Sequence, residues 1–158
     1  MSPEPPRPPL DLQAICDRSG LHRALHLTVD RAGQGVRLTA RLDLSWANDD
    51  TGRVVHGGAI AALLDSALTF ALLADTDDDW TTADLRVDYL RPVAVGRVEL
   101  AAEVLRAGRT LGRARATLLG GDGRPSAVAI GSCVRLGPLS GGPVRAPAAG
   151  PRRPGGAG

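Results

Sequence analysis

In "GVRLTARLDL", residues 35 to 44, Val36, Leu38, Ala40, Leu42 and Leu44 fall on one side and Arg37, Thr39, Arg41 and Asp43 on the other. A period of two predicts a strand with one buried face. "LHLTVD" before it reads as its hairpin partner, with "RAGQG" as the turn. "TADLRVDYL" alternates again, with Ala83, Leu85, Val87 and Tyr89 opposite Thr82, Asp84, Arg86 and Asp88. Residues 96 to 136 supply three more strands, joined by "RAGR" and "GGDGRP". Loops this short cannot make parallel crossovers, so the strands are expected to be antiparallel. Upstream, "LDLQAICDRSG" predicts a short helix stopped by Gly20.

Between the two groups of strands lies "VVHGGAIAALLDSALTFALLA", residues 54 to 74, apolar almost all the way round. A helix of that kind is a buried one. A single helix can be buried by six strands only if the sheet curls around it. The expected class is therefore α+β, with a long central helix wrapped by a curved antiparallel sheet.

Composition narrows the picture. A chain of 158 residues suits one domain. Residues 1 to 9 hold five prolines and are expected to be a disordered leader; from Gly137 onward, twelve of twenty-two residues are Gly or Pro, and 137 to 158 are expected to be a disordered tail. The domain is then 10 to 136. Aromatics are 3% and the net charge is only +2, with no basic run in the folded part, which argues against a nucleic-acid partner. Asp65, Ser66 and Thr69 interrupt the apolar run, and no signal peptide precedes it, so no membrane partner is expected. Cys16 and Cys133 have neither metal-ligand nor disulfide-framework spacing, and His22 and His26 lack ligand spacing. A cytoplasmic protein with no metal and no resident cofactor is the expectation.

Two features of the long helix carry chemistry. Asp65 is a carboxylate in an apolar element, either satisfied by specific donors, such as Arg86 or Arg91, or kept for reactivity. With Ser66 and Thr69 it makes a polar stripe expected to face a cavity or an interface. At the other end, Gly57 and Gly58 follow His56 where loop becomes helix. Backbone N–H groups there lack intrahelical partners, the dipole favours negative charge, and glycine admits a close ligand. That combination suits an oxyanion hole. His56 and Asp65 are nine positions apart, about 180° around a helix and about 13 Å along it. If both serve one reaction, one of them comes from a second copy, and a site across a two-fold dimer interface follows.

"HGGAIAALLD", with "LRVDYLRPV" about twenty residues later, resembles the hotdog-fold acyl-CoA thioesterases of the PaaI type, related to the 4-hydroxybenzoyl-CoA enzymes, over residues 25 to 136. The resemblance implies a homodimer, or a dimer of dimers, with acyl-CoA at the interface. It implies that Gly57 N–H polarises the thioester carbonyl and that His56 holds that site in shape. Asp65 of the partner subunit acts as general base or nucleophile, and Thr82, or the neighbouring Thr81, orients the water or the aspartate. Family members often carry N-x-x-G-x-x-H-G-G; here "NDDTGRVVHGG" puts Asp50 six and Gly52 four residues before His56. Asn48, Asp50 and Gly58 are the expected substrate-binding residues. The shifted spacing leaves a second class of reading, a non-catalytic module that binds acyl-CoA or only dimerises.

Overall fold

The computed structural model describes residues 8–139, so the expectations for residues 1–7 and 140–158 lie outside the described residues. Two short helices open the domain. α1 (Leu12–Cys16) is capped by the Asp11 carboxylate, which accepts from Ala14 N–H at 3.0 Å. α2 (Gly20–Ala24) is capped by Ser19, whose hydroxyl accepts from His22 N–H. Here the sequence expectation needs correction: Gly20 starts a helix instead of stopping one. The serine before it supplies the acceptor that an N-terminus requires, and that local signal outweighs glycine's tendency to end helices.

β1 (Thr28–Ala32) and β2 (Gly35–Leu42) form the expected hairpin, with Gly33 at φ +59° in a two-residue turn. After a short 3-10 turn at Leu44–Trp46 comes α3 (Gly57–Thr76). It ends at Asp77, in the left-handed conformation, whose N–H returns to Leu73 O. β3 (Asp78–Tyr89), β4 (Gly96–Ala107), β5 (Leu111–Leu119) and β6 (Pro125–Pro138) complete one antiparallel sheet in the order β1-β2-β4-β5-β6-β3. β6 runs two residues into the stretch assigned to the tail.

The sheet wraps α3, which packs against β2 through β6. Val36, Leu38, Ala40 and Leu42 of β2 and Val98, Leu100 and Ala102 of β4 present one inner wall. β5 and β6 present smaller residues, Ala114, Ala116, Ala127 and Ala129, and two glycines that make room for the helix. A Cβ on Gly112 would lie 2.6 Å from Leu72 Cδ2, and one on Gly131 2.9 Å from Leu68 Cδ1. By length and composition alone α3 could cross a bilayer, but its apolar side chains from Ala59 to Leu73 are mostly buried in this core.

The sheet's two edges differ. β1 is short, and Gln13 of α1 covers it, accepting from Val29 N–H at 2.9 Å and donating to Leu27 O at 3.2 Å. β3 is twelve residues long and, among the described residues, has no strand beyond it.

Candidate active site

The tip of α3 is held from several sides. His56 N–H donates to Trp46 O at 2.7 Å, and Val55 N–H donates to Val93 O at 2.7 Å, so the loop enters the helix between two fixed segments. His56 is the N-cap, an unusual cap residue; its ring Nδ1 accepts from Gly58 N–H at 2.9 Å. The Gly58 N–H, expected to face substrate, is thus taken by the cap. Gly57 N–H has no acceptor among the described residues and stands at the positive end of a 20-residue helix. Beside it lies a cleft of about 300 Å³ whose walls include Asn48, Val55, Gly57, Ile60, Tyr89 and Arg91. Asn48 is thus on the wall of the cleft beside Gly57. Asp50 is exposed and outside that wall; the turn there is organised by Asp49, which accepts from Thr51 N–H and Oγ1.

Asp65 sits two turns further along α3, partly buried, and its Oδ1 accepts from Thr82 Oγ1 at 2.6 Å. Arg86 pairs instead with Asp88 at 3.2 Å and Arg91 donates to Pro125 O, so neither takes up the aspartate. Thr82 reaches it because of a bulge. Thr82 pairs with Cys133 and Asp84 with Ser132, leaving Ala83 without a partner in β6. The extra residue shifts the phase of the strand. Trp80 and Thr82 before it, and Leu85 and Val87 after it, then all turn toward the covered face while Ala83 is exposed. This corrects the uniform alternation expected for "TADLRVDYL", which set Thr82 opposite Leu85 and Val87. Thr81, the alternative to Thr82, is exposed.

The polar stripe divides. Ser66 is buried and satisfied, donating to Ala62 O at 2.8 Å and lying 3.0 Å from His22 Nε2. Thr69 donates back to its own helix and borders a cavity of about 150 Å³ between α3, the start of β3 and the N-terminal helices. Cys133 Sγ lies 4.0 Å from Thr82 Oγ1. Burial first, then the nearby Asp65 and Asp84 charges, push its thiol up from the ordinary value, against the opposing hydrogen bond with Thr82. It stays protonated beside the carboxylate. Among the described residues no group of three or more His, Cys, Asp or Glu could hold a metal ion.

Two residues near this chemistry were not singled out by the sequence reading. Tyr89 ends β3 and donates its hydroxyl to Gly57 O at 2.9 Å, so the strand end touches the helix tip. His22 ties α2 to α3 through Ser66, with its ring centroid 5.6 Å from that of Phe70. The "YLRP" run was a signal for the first; nothing in spacing pointed to the second.

Residues 52–127, which contain His56, Gly57, Asp65, Thr82 and Tyr89, match the family model of the thioesterase superfamily. A Saccharolobus solfataricus protein named as an esterase is 34% identical over 82 residues, 51% of this chain and 59% of its own length. The chain thus spans little more than half of that relative. A thioesterase family protein from Silicibacter pomeroyi is 26% identical at a TM-score of 0.71, covering 80% of this chain and 96% of that one. A hypothetical thioesterase from Streptococcus pneumoniae, solved with coenzyme A, has the same fold at 20% identity and a TM-score of 0.64, covering 72% and 88%. The long helix clasped by a curved antiparallel sheet is the hotdog fold, and the part of it at residues 52–127 is similar to the thioesterase superfamily.

Proposed function

We propose that the chain is a PaaI-type thioesterase that hydrolyses an acyl-coenzyme A thioester at a site shared between two copies. The observation that carries this reading is Asp65: a carboxylate on a core helix, held at one oxygen by Thr82 at 2.6 Å and, among the described residues, by no arginine. One oxygen remains for chemistry. The thioester carbonyl accepts from Gly57 N–H, which stabilises the charge that develops on its oxygen. Asp65 of the partner subunit takes a proton from water as that water attacks the carbonyl carbon; the C–S bond then breaks and the coenzyme leaves as its thiol. In the alternative course Asp65 itself attacks the carbonyl carbon and the C–S bond breaks to expel the coenzyme thiolate, giving an anhydride that water opens at the aspartyl carbon. Single turnover in ¹⁸O-water separates them, since only the second leaves label in the Asp65 carboxylate.

Coenzyme A as the carrier is supported by the sequence resemblance and by the ligand of the Streptococcus pneumoniae relative. The homodimer is supported by the bare twelve-residue edge of β3 beside the covered edge of β1. A dimer of dimers would keep the same shared site. The two free cysteines, both buried, suit a reducing cytoplasm.

The test is thiol release from a panel of acyl-CoA esters. Asp65→Asn is expected to lower turnover by roughly 10²- to 10⁴-fold with an unchanged melting temperature. Unchanged turnover overturns the role of Asp65, and tight binding without turnover by the wild-type chain favours the non-catalytic module, which the shifted segment before His56 keeps in contention. Sharing is tested by exchanging subunits of the His56→Ala and Asp65→Asn variants. Mixed dimers then hold one intact site of two, so recovery to about one quarter of wild-type activity is expected after statistical exchange. No recovery in mixed dimers places both groups of each site in one copy.

A further inference from the structure

Tyr89 donates its hydroxyl proton to the Gly57 carbonyl at 2.9 Å. That carbonyl belongs to the same peptide unit as Gly58 N–H, which in turn donates to His56 Nδ1 at 2.9 Å. A hydrogen bond accepted at the carbonyl draws electron density from the amide nitrogen and makes its N–H a stronger donor, so each bond reinforces the other. Because Nδ1 accepts here, it carries no proton, and a neutral imidazole then keeps its proton on Nε2. His56 is exposed, and its Nε2 has no partner among the described residues. The phenol is also close-packed on the tip: a Cβ on Gly57 would come within 3.4 Å of Tyr89 Cζ and Oη.

We infer that Tyr89 is a positioning residue that acts through the Gly57–Gly58 peptide to hold His56 in its Nε2–H form, leaving that N–H as a second donor beside Gly57 N–H for the substrate carbonyl. The linkage joins the end of β3, 32 residues away in sequence, to the first peptide of α3 and its cap. Tyr89 itself need not touch substrate. A phenylalanine at this position would fill the same space and leave the relay without its first donor. The kinetic consequence rests on the thioesterase reading above, whereas the state of the His56 ring does not.

Tyr89→Phe is therefore examined in two ways. Long-range ¹H–¹⁵N spectra of the full chain report the His56 tautomer and the Gly58 amide nitrogen. The wild-type protein is expected to show the Nε2–H pattern, and the variant a shifted Gly58 nitrogen with the His56 ring moving toward a tautomer mixture. In acyl-CoA turnover the variant is expected to lose roughly 5- to 10-fold in kcat, the range of one neutral hydrogen bond, with KM within about twofold. In a His56→Ala background the same change is expected to cost nothing further, because the relay has lost its end. An unchanged His56 ring and Gly58 nitrogen in Tyr89→Phe, or a full additional loss in the double variant, overturns the inference. If the wild-type chain releases no thiol from any acyl-CoA, the thioesterase reading fails, and the spectra alone still decide the relay.

Discussion

Thr82 shows how much one side chain can organise. Its hydroxyl donates to Asp65 at 2.6 Å, and the same oxygen lies 4.0 Å from the Cys133 sulfur. Thr82→Val keeps the shape and removes the donor, so a loss of about tenfold in kcat with little change in melting temperature is expected from acyl-CoA assays, and Thr82→Ser is expected to restore most of it. Cys16 gives a separate test. Burial, and then the Asp17 charge, push its thiol from 9.0 up to about 12. The folded state holds this proton more tightly than the unfolded chain does, so the associated stability is complete below pH 9 and is lost as pH rises through about 12. Denaturant titrations across that window are expected to show a shallower alkaline decline in Cys16→Ala than in the parent. Asp65, His56 and Gly57 were legible because a carboxylate in an apolar helix and a His-Gly-Gly at its start violate local expectation. Tyr89 was signalled only as part of "YLRP", and its contact was not legible, since a tyrosine that ends a strand is ordinary until the fold carries its hydroxyl to the helix tip.

At the scale of elements, the alternation of β2 translated directly into burial from Val36 to Leu42, because both its neighbours are in register, whereas Leu44, expected on the same face, lies beyond the strand in the 3-10 turn and is exposed. β3 did not. A period-two reading has no place for an inserted residue, and Ala83 is that residue. Deleting Ala83 is expected to leave a folded sheet by circular dichroism but to turn either Thr82 or the Leu85–Val87 pair away from α3, with activity lost in the first case and stability in the second. The division of the N-terminal helix at Gly20 was hidden for a related reason: Ser19 can cap only if the chain has already turned away from α1. Close approach between helix and sheet makes a further prediction. Gly112→Ala would press a methyl group onto Leu72 and Trp80 and is expected to cost about 1–3 kcal/mol in denaturant titrations. Gly121→Ala, with its nearest neighbour at 4.0 Å, serves as the neutral control.

For the whole molecule, the contrast between edges governs assembly. A long strand with free backbone groups is a template for pairing, and proteins commonly shield such edges. β1 is shielded by Gln13, and among the described residues no strand pairs with the outer edge of β3. Sedimentation is expected to give twice the 16.3 kDa chain mass, and specific activity is expected to fall on dilution in step with loss of the dimer. A constant activity in dilute monomer would separate catalysis from pairing.

The order of elements along the chain has a consequence for biosynthesis. α3 is synthesised before β3 through β6, the strands that cover most of it. At about 5–20 residues per second, this greasy rod waits for seconds without its cover. Chains released just after Thr76 should therefore recruit chaperones or precipitate, whereas chains released after Pro138 should not.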